Sequence, residues 1–126
     1  MRALQIIEAG YRGTLEEQDD TIIWLTHAMK GIDADISVLL CGNAVNYILV
    51  DQAPPMLQFG NWVQTQATDI EGDLVKLIDK DVEVYVVKED LKSRGLINRK
   101  NIGGIKLIDR NQLPSLLEKY EQLWHW

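Results

Sequence analysis

Three short runs of β-type residues, separated by stretches of helical spacing, constrain this chain more than any other feature. They are Ala3–Ile7 (ALQII), Ile36–Leu40 (ISVLL) and Val82–Val87 (VEVYVV). Each is too short for a helix of ordinary length. The second is apolar apart from Ser37, so it has no solvent face and belongs in a sheet covered by helices on both sides. Joining such strands in parallel needs crossovers of a dozen or more residues, and the intervals between them supply that length. Ile105–Ile108, preceded by Gly103-Gly104, reads as a fourth strand.

The intervening segments carry helix signals. Thr14 and Glu17 have capping-box spacing, which predicts one helix from Thr14 to Lys30-Gly31, with Ile22, Trp24, Leu25, Ala28 and Met29 on its buried side. Ala44–Leu49 reads as a short helix after the turn Cys41-Gly42-Asn43. Asp73–Lys80 places Leu74, Leu77 and Ile78 at helical spacing, and Glu89–Arg94 reads as a short helix stopped by Gly95. Asn111 is the expected cap of a last helix bearing Leu113, Leu116, Leu117 and Tyr120. Pro54-Pro55 marks Asp51–Gly60 as an irregular loop, and Asn61–Gly72 has no readable pattern. Leu123-Trp124-His125-Trp126 is expected to pack on the domain or on a neighbouring subunit, because two indoles are costly to leave in water.

The chain is thus expected to be a single α/β domain over residues 1–126, a flavodoxin-like three-layer fold with a short, mainly parallel sheet. Ligands of such folds sit outside the carboxyl ends of the strands, which singles out Glu8–Thr14, Cys41–Asn46 and Lys88–Gly95. No apolar run reaches the roughly 20 residues of a membrane span. The net charge of −6 argues against general nucleic-acid binding. That charge is unevenly placed, with the acidic excess in residues 1–87 and a basic excess beyond them. The single cysteine, Cys41, forms no internal disulfide and suits a reducing cytoplasm.

Known chemistries leave few marks. A receiver domain needs an acidic pair after the first strand, and only Glu8 stands there. No dinucleotide fingerprint, P-loop or serine-hydrolase elbow is present. His27 and His125 lack neighbouring ligand residues, so no metal or other cofactor is expected. Cys41, at a strand-to-helix turn, reads either as a reactive thiol favoured by backbone N–H groups or as a small buried hydrophobe. Lys88, Lys92, Arg94, Arg99 and Lys100 read either as solvated side chains or as an anion-holding surface.

From Val84 to Leu96 the chain reads VYVVKEDLKSRGL, a strand running into a short helix that ends in Arg94-Gly95. This resembles the DsrE/DsrF/DsrH superfamily, whose relatives include the TusD, TusC and TusB subunits of a tRNA-thiolation sulfur relay. Glu89–Leu91, Ile105–Asp109 and the terminal Trp126 resemble the DsrH/TusB branch most. The Gly-Tyr-Arg-Gly-Thr loop at Gly10–Thr14 and the Gly-Asn-Ala-Val turn at Gly42–Val45 support the superfamily more loosely. The resemblance implies homo-oligomers, or hetero-oligomers with related DsrE/DsrF-like subunits. It also implies that the transfer cysteine of the active branch falls at Val87, which cannot carry a persulfide. The expected function is therefore an auxiliary, non-catalytic subunit of a sulfur-relay or sulfur-oxidation complex, with Lys88, Lys92, Arg94 and Gly95 as a binding surface. The alternatives are a thiol sulfur carrier using Cys41 and a small anion-binding module.

Overall fold

A computed structural model describes residues 1–126. The chain runs β1 (Arg2–Ile7), α1 (Thr14–Glu17), α2 (Thr21–Gly31), β2 (Asp35–Leu40), a 3₁₀ segment (Gly42–Ile48), β3 (Gln58–Phe59), β4 (Trp62–Val63) and α3 (Ile70–Asp79). It continues through β5 (Val84–Val87), α4 (Lys88–Ser93), β6 (Lys106–Ile108), a 3₁₀ turn (Arg110–Gln112), α5 (Leu113–Leu117) and β7 (Gln122–His125). Five strands form one sheet in the order β6-β5-β2-β1-β7, and every pairing in it is parallel. This is the expected three-layer, flavodoxin-like α/β fold.

The alternation of side chains along the strands divides the core in two. Ile7, Val38, Leu40, Val84 and Val86 face one layer, where Ile23 of α2, Leu74 and Leu77 of α3 and Tyr47 complete the larger cluster. Leu4, Leu39, Val87 and Ile108 face the other layer with Leu116 and Tyr120. That second layer contains only the five-residue α5, so it is much the thinner of the two.

Four local expectations change. The helix expected from Thr14 onward is broken at Gln18, which adopts a left-handed conformation (φ 64°). Its second part is capped by Asp20, whose Oδ1 accepts the N–H groups of Ile22 (2.9 Å) and Ile23 (3.0 Å). No Thr14–Glu17 capping box forms. Gly13 is the N-cap of α1, and the Glu17 carboxylate instead accepts the Thr21 hydroxyl at 2.5 Å. The break rotates the helix, so that Ile23 and Thr26 are buried while Trp24 is 58% exposed. Asn111 does not cap the last helix: Asp109 caps the preceding 3₁₀ turn in a capping box with Gln112, and Gln112 stands at the N-cap of α5 without a side-chain bond.

The loop beginning at Asp51 contains a small antiparallel hairpin, β3–β4, in which Phe59 pairs with Trp62. The tryptophan-rich tail, finally, is a strand. Parallel pairing of β7 with β1 runs from Ala3–Gln122 to Ile6–His125, and the Trp126 N–H extends it to the Ile6 carbonyl at 2.9 Å. Because β7 lies outside β1, the strand order reverses between these two.

Candidate functional site

At the carboxyl edge of the sheet, the exits of β2 and β5 lie against each other. The Gly42 N–H donates to Asp90 Oδ2 at 2.8 Å, and Asp90 is also paired with the Arg110 guanidinium. Both Glu89 carboxylate oxygens accept the Arg110 backbone N–H, at 2.9 and 3.0 Å. On the other side Glu8, leaving β1, meets His125 of β7 at 2.7 Å. Gly42 is required here. It is left-handed (φ 53°), and a Cβ on it would stand 2.9 Å from Glu8 Cγ and 3.2 Å from the Glu8 carbonyl oxygen.

Cys41 sits inside this arrangement. Its backbone N–H donates to the Ile7 carbonyl (3.0 Å), and its Sγ–H points to the same oxygen at 3.8 Å. Burial pushes the thiol up to about 11. The Glu8 and Asp90 carboxylates add to that shift, and Arg110 offsets part of it. The structure thus sets two carboxylates and one guanidinium around a half-buried sulfur, a balance that disfavours the thiolate.

Val87, at the end of β5, is 1% exposed and packed among Leu4, Leu39, Ile108, Leu116 and Tyr120. Lys88 opens α4, Lys92 lies in its last turn, and Arg94 is its C-cap residue. Gly95 follows with φ 69°, which ends the helix. Lys88 and Lys92 are one helical turn apart and make no ion pair, whereas Arg94 folds back onto the Asp90 carbonyl (3.2 Å) and Ser93 Oγ (3.3 Å). Arg99 and Lys100 are exposed in the loop beyond. His27 is held between the Asp73 carbonyl (2.9 Å) and Lys80 Nζ (3.2 Å), bridging α2 and α3. No group of three or more His, Cys, Asp or Glu side chains is placed to hold a metal ion.

One network escapes sequence reading. Tyr47 is fully buried, and its hydroxyl donates to Asp20 Oδ2 and accepts the Tyr11 N–H, both at 2.6 Å. Burial, reinforced by the bond to Asp20, drives this phenol well above its ordinary pKa. The Tyr11 ring stands edge-on to Tyr47 at 4.8 Å between centroids, and its hydroxyl donates to Gln52 Oε1 at 2.6 Å. These contacts hold Tyr11 at φ 62°, a conformation that bulky residues rarely adopt. Two stretches far apart in sequence, residues 11–20 and 47–52, are thereby tied together. The Gly10–Thr14 motif was the only local signal of it.

The chain matches solved structures along nearly its whole length. The ychN protein from E. coli superposes with a TM-score of 0.75 at 18% identity, covering 100% of both chains. BT1422 from Bacteroides thetaiotaomicron gives 0.64 at 12% identity, covering 98% of this chain and 94% of that one. MTH1491 from Methanobacterium thermoautotrophicum gives 0.60 at 13% identity, covering 96% of each. At such identities these likenesses establish the fold alone. No curated protein matches by sequence. The family model described as DsrH like protein matches residues 56–123, a span that holds the hairpin, α3, the β5–α4 exit, β6 and α5. It includes residues 56–72, most of the Pro54–Gly72 stretch where the resemblance is weak by eye. With more than half of its length matched, and with the β5 exit inside the match, the chain belongs to the DsrH-like family.

Proposed function

We propose that this protein is an auxiliary, non-catalytic subunit of a sulfur-relay or sulfur-oxidation complex, assembled from copies of itself or with related DsrE/DsrF-like subunits. The observation that carries the reading is Val87. The resemblance puts the family's transfer cysteine at this position, and Val87 is an aliphatic side chain closed off in the α5 layer. Cys41 is a weak substitute, since burial, then Glu8 and Asp90, raise its pKa and disfavour the thiolate. Exposed aromatic side chains, Phe59 packed on Trp62 and also Trp24 and Trp126, are what subunit contacts would cover. We assign the docking surface for an acidic partner face to Lys88 and Lys92 on α4, beside Arg94 and Gly95. A reducing cytoplasm suits the lone thiol.

Two measurements test the reading. Native mass spectrometry of the protein, alone and co-expressed with a cysteine-bearing DsrE-type subunit, is expected to give a defined complex; a monomer under both conditions counts against assembly. Incubation with a persulfide donor, followed by intact mass measurement, separates the subunit from the carrier. A carrier's Cys41 thiolate would attack the donor's sulfane sulfur, break its S–S bond and keep one sulfur atom as Cys41 persulfide while the donor leaves as a thiolate. The expected result is no added sulfur on the folded protein, and stoichiometric addition would reverse the assignment.

A further inference from the structure

Beside the Gly10–Thr14 loop lies a cavity of about 510 Å³, independent of the subunit reading above. Three segments enclose it: Tyr11–Leu15 after β1, Gln52–Pro54 after the 3₁₀ segment, and Thr68–Glu71 at the start of α3. Its volume falls within the range of small-molecule sites, roughly 300–1,000 Å³. Leu15, Ala53, Pro54 and Ile70 make much of its wall apolar.

The charge around it has one sign. Asp69 and Glu71 line the cavity, and no lysine, arginine or histidine does. Asp69 gives Oδ1 to the Gly72 N–H (3.0 Å), and Glu71 gives Oε2 to the Asp51 N–H (3.0 Å). The second oxygen of each is uncommitted, and neither carboxylate has an ion-pair partner among the salt bridges of the molecule. The N-terminus of α3 would otherwise attract an anion, but Asp69 already occupies that place as its cap. Thr14, also in the wall, is 3% exposed, and its hydroxyl, though near Tyr47, makes no hydrogen bond of normal geometry. The walls are held in place without a ligand, because Tyr47 and Gln52 lock Tyr11 across the rim.

We propose that this cavity binds a small amphipathic cation, a primary amine or guanidinium carried on an apolar body. The body would displace water from Leu15, Pro54 and Ile70, and the charged head would meet the free oxygens of Asp69 and Glu71. The cavity's one-signed charge attracts such a head, and the same two carboxylates repel an anion of equal size.

The test is calorimetric titration of the full chain with hexylamine, hexanol and hexanoate, which share a body and differ in charge. Saturable binding of hexylamine is expected, at least about tenfold tighter than hexanol, with hexanoate not binding. The Asp69→Asn/Glu71→Gln double variant retains both N–H acceptors and is expected to weaken hexylamine by about tenfold or more. Ala53→Trp, which fills the cavity and leaves both carboxylates in place, is expected to abolish binding. Circular dichroism of each variant verifies that it is folded, and should the double variant unfold, Glu71→Gln alone and Ala53→Trp carry the test. Equal affinity for hexylamine and hexanol, no saturable amine binding, or unchanged binding in Ala53→Trp would each overturn the proposal.

Discussion

At the scale of single residues, Tyr47 and Cys41 show how position converts ordinary side chains into specific ones. Tyr47 joins the cap of α2 to the strained turn at Tyr11 through one buried oxygen. Tyr47→Phe would leave the Tyr11 N–H and Asp20 Oδ2 each short of a partner. A loss of about 1–3 kcal/mol is expected, read as a lower urea midpoint with an unchanged slope. A midpoint equal to wild type would mean that water replaces the phenol at no cost. For Cys41, a folded-state pKa of about 11 predicts alkylation by iodoacetamide that climbs with pH toward that value and is slow at neutrality. A profile centred at the ordinary cysteine value would remove the physical case against a reactive Cys41. Val87→Cys carries the same logic to the family position. A thiol placed where the valine is 1% exposed should react much more slowly than a free thiol while the protein is folded.

At the scale of elements, the join between β5 and β6 is secured by charge on its exposed side. Glu83 accepts from Lys106 Nζ and from the Tyr85 hydroxyl, both at 2.7 Å. These bonds, the one to Lys106 first, hold its carboxyl below the usual glutamate range, while burial and the bond to Glu83 push the Tyr85 phenol up. A depressed carboxylate contributes stability that is present above its unfolded pKa and is lost as pH falls through the folded one. Glu83→Gln should therefore melt below wild type at neutral pH, and the two curves should converge in acid below the usual glutamate range. A gap that persists there would assign the effect to packing instead of ionisation. The turn after β2 depends on backbone room. Gly42→Ala puts a Cβ against Glu8 at a left-handed residue, and about 1–2 kcal/mol of destabilisation is expected in chemical denaturation.

At the scale of the whole molecule, the sheet is closed by its last strand. β7 covers the outer edge of β1, and Trp126 fastens it by donating Nε1–H to the Oε1 of the fully buried Gln5 at 2.6 Å. An indole N–H can only donate, so the orientation of the Gln5 amide is set and its Nε2 is left without a partner. Trp126→Phe would leave Gln5 Oε1 unmatched as well. A loss of about 1–3 kcal/mol is expected, together with faster amide exchange along β1 and β7 relative to β5. Uniform exchange rates across the sheet would show that the tail is not a separate closing element.

Much of this architecture was legible because its causes are local. Apolar runs of strand length, helical spacing of Leu74, Leu77 and Ile78, and the stop at Gly95 announced the α/β class, and the VYVVKEDLKSRGL segment announced the family. That Val87 stands where the resemblance expects a cysteine could be read from the same segment. What failed did so where a partner distant in sequence decided the outcome. Thr14 has the pattern of a helix start, yet Asp20 caps α2 because Tyr47, twenty-seven residues away, gives that carboxylate a buried donor. Leu123–Trp126 looks like an apolar tail and becomes a strand because the edge of β1, more than a hundred residues earlier, needs its N–H and C=O groups paired. Cys41 could be read as reactive or as a buried hydrophobe, and burial first, then the approach of Glu8 from the end of β1 and Asp90 from α4, raises its pKa. The sequence by itself determined the strands β1, β2, β5 and β6, most of the helical segments and that position 87 carries no thiol, since periodicity and residue identity are properties of the chain. Tertiary structure alone decided the strand order, the caps and the charge around the thiol, because burial and electrostatics depend on distances that no local stretch of sequence contains.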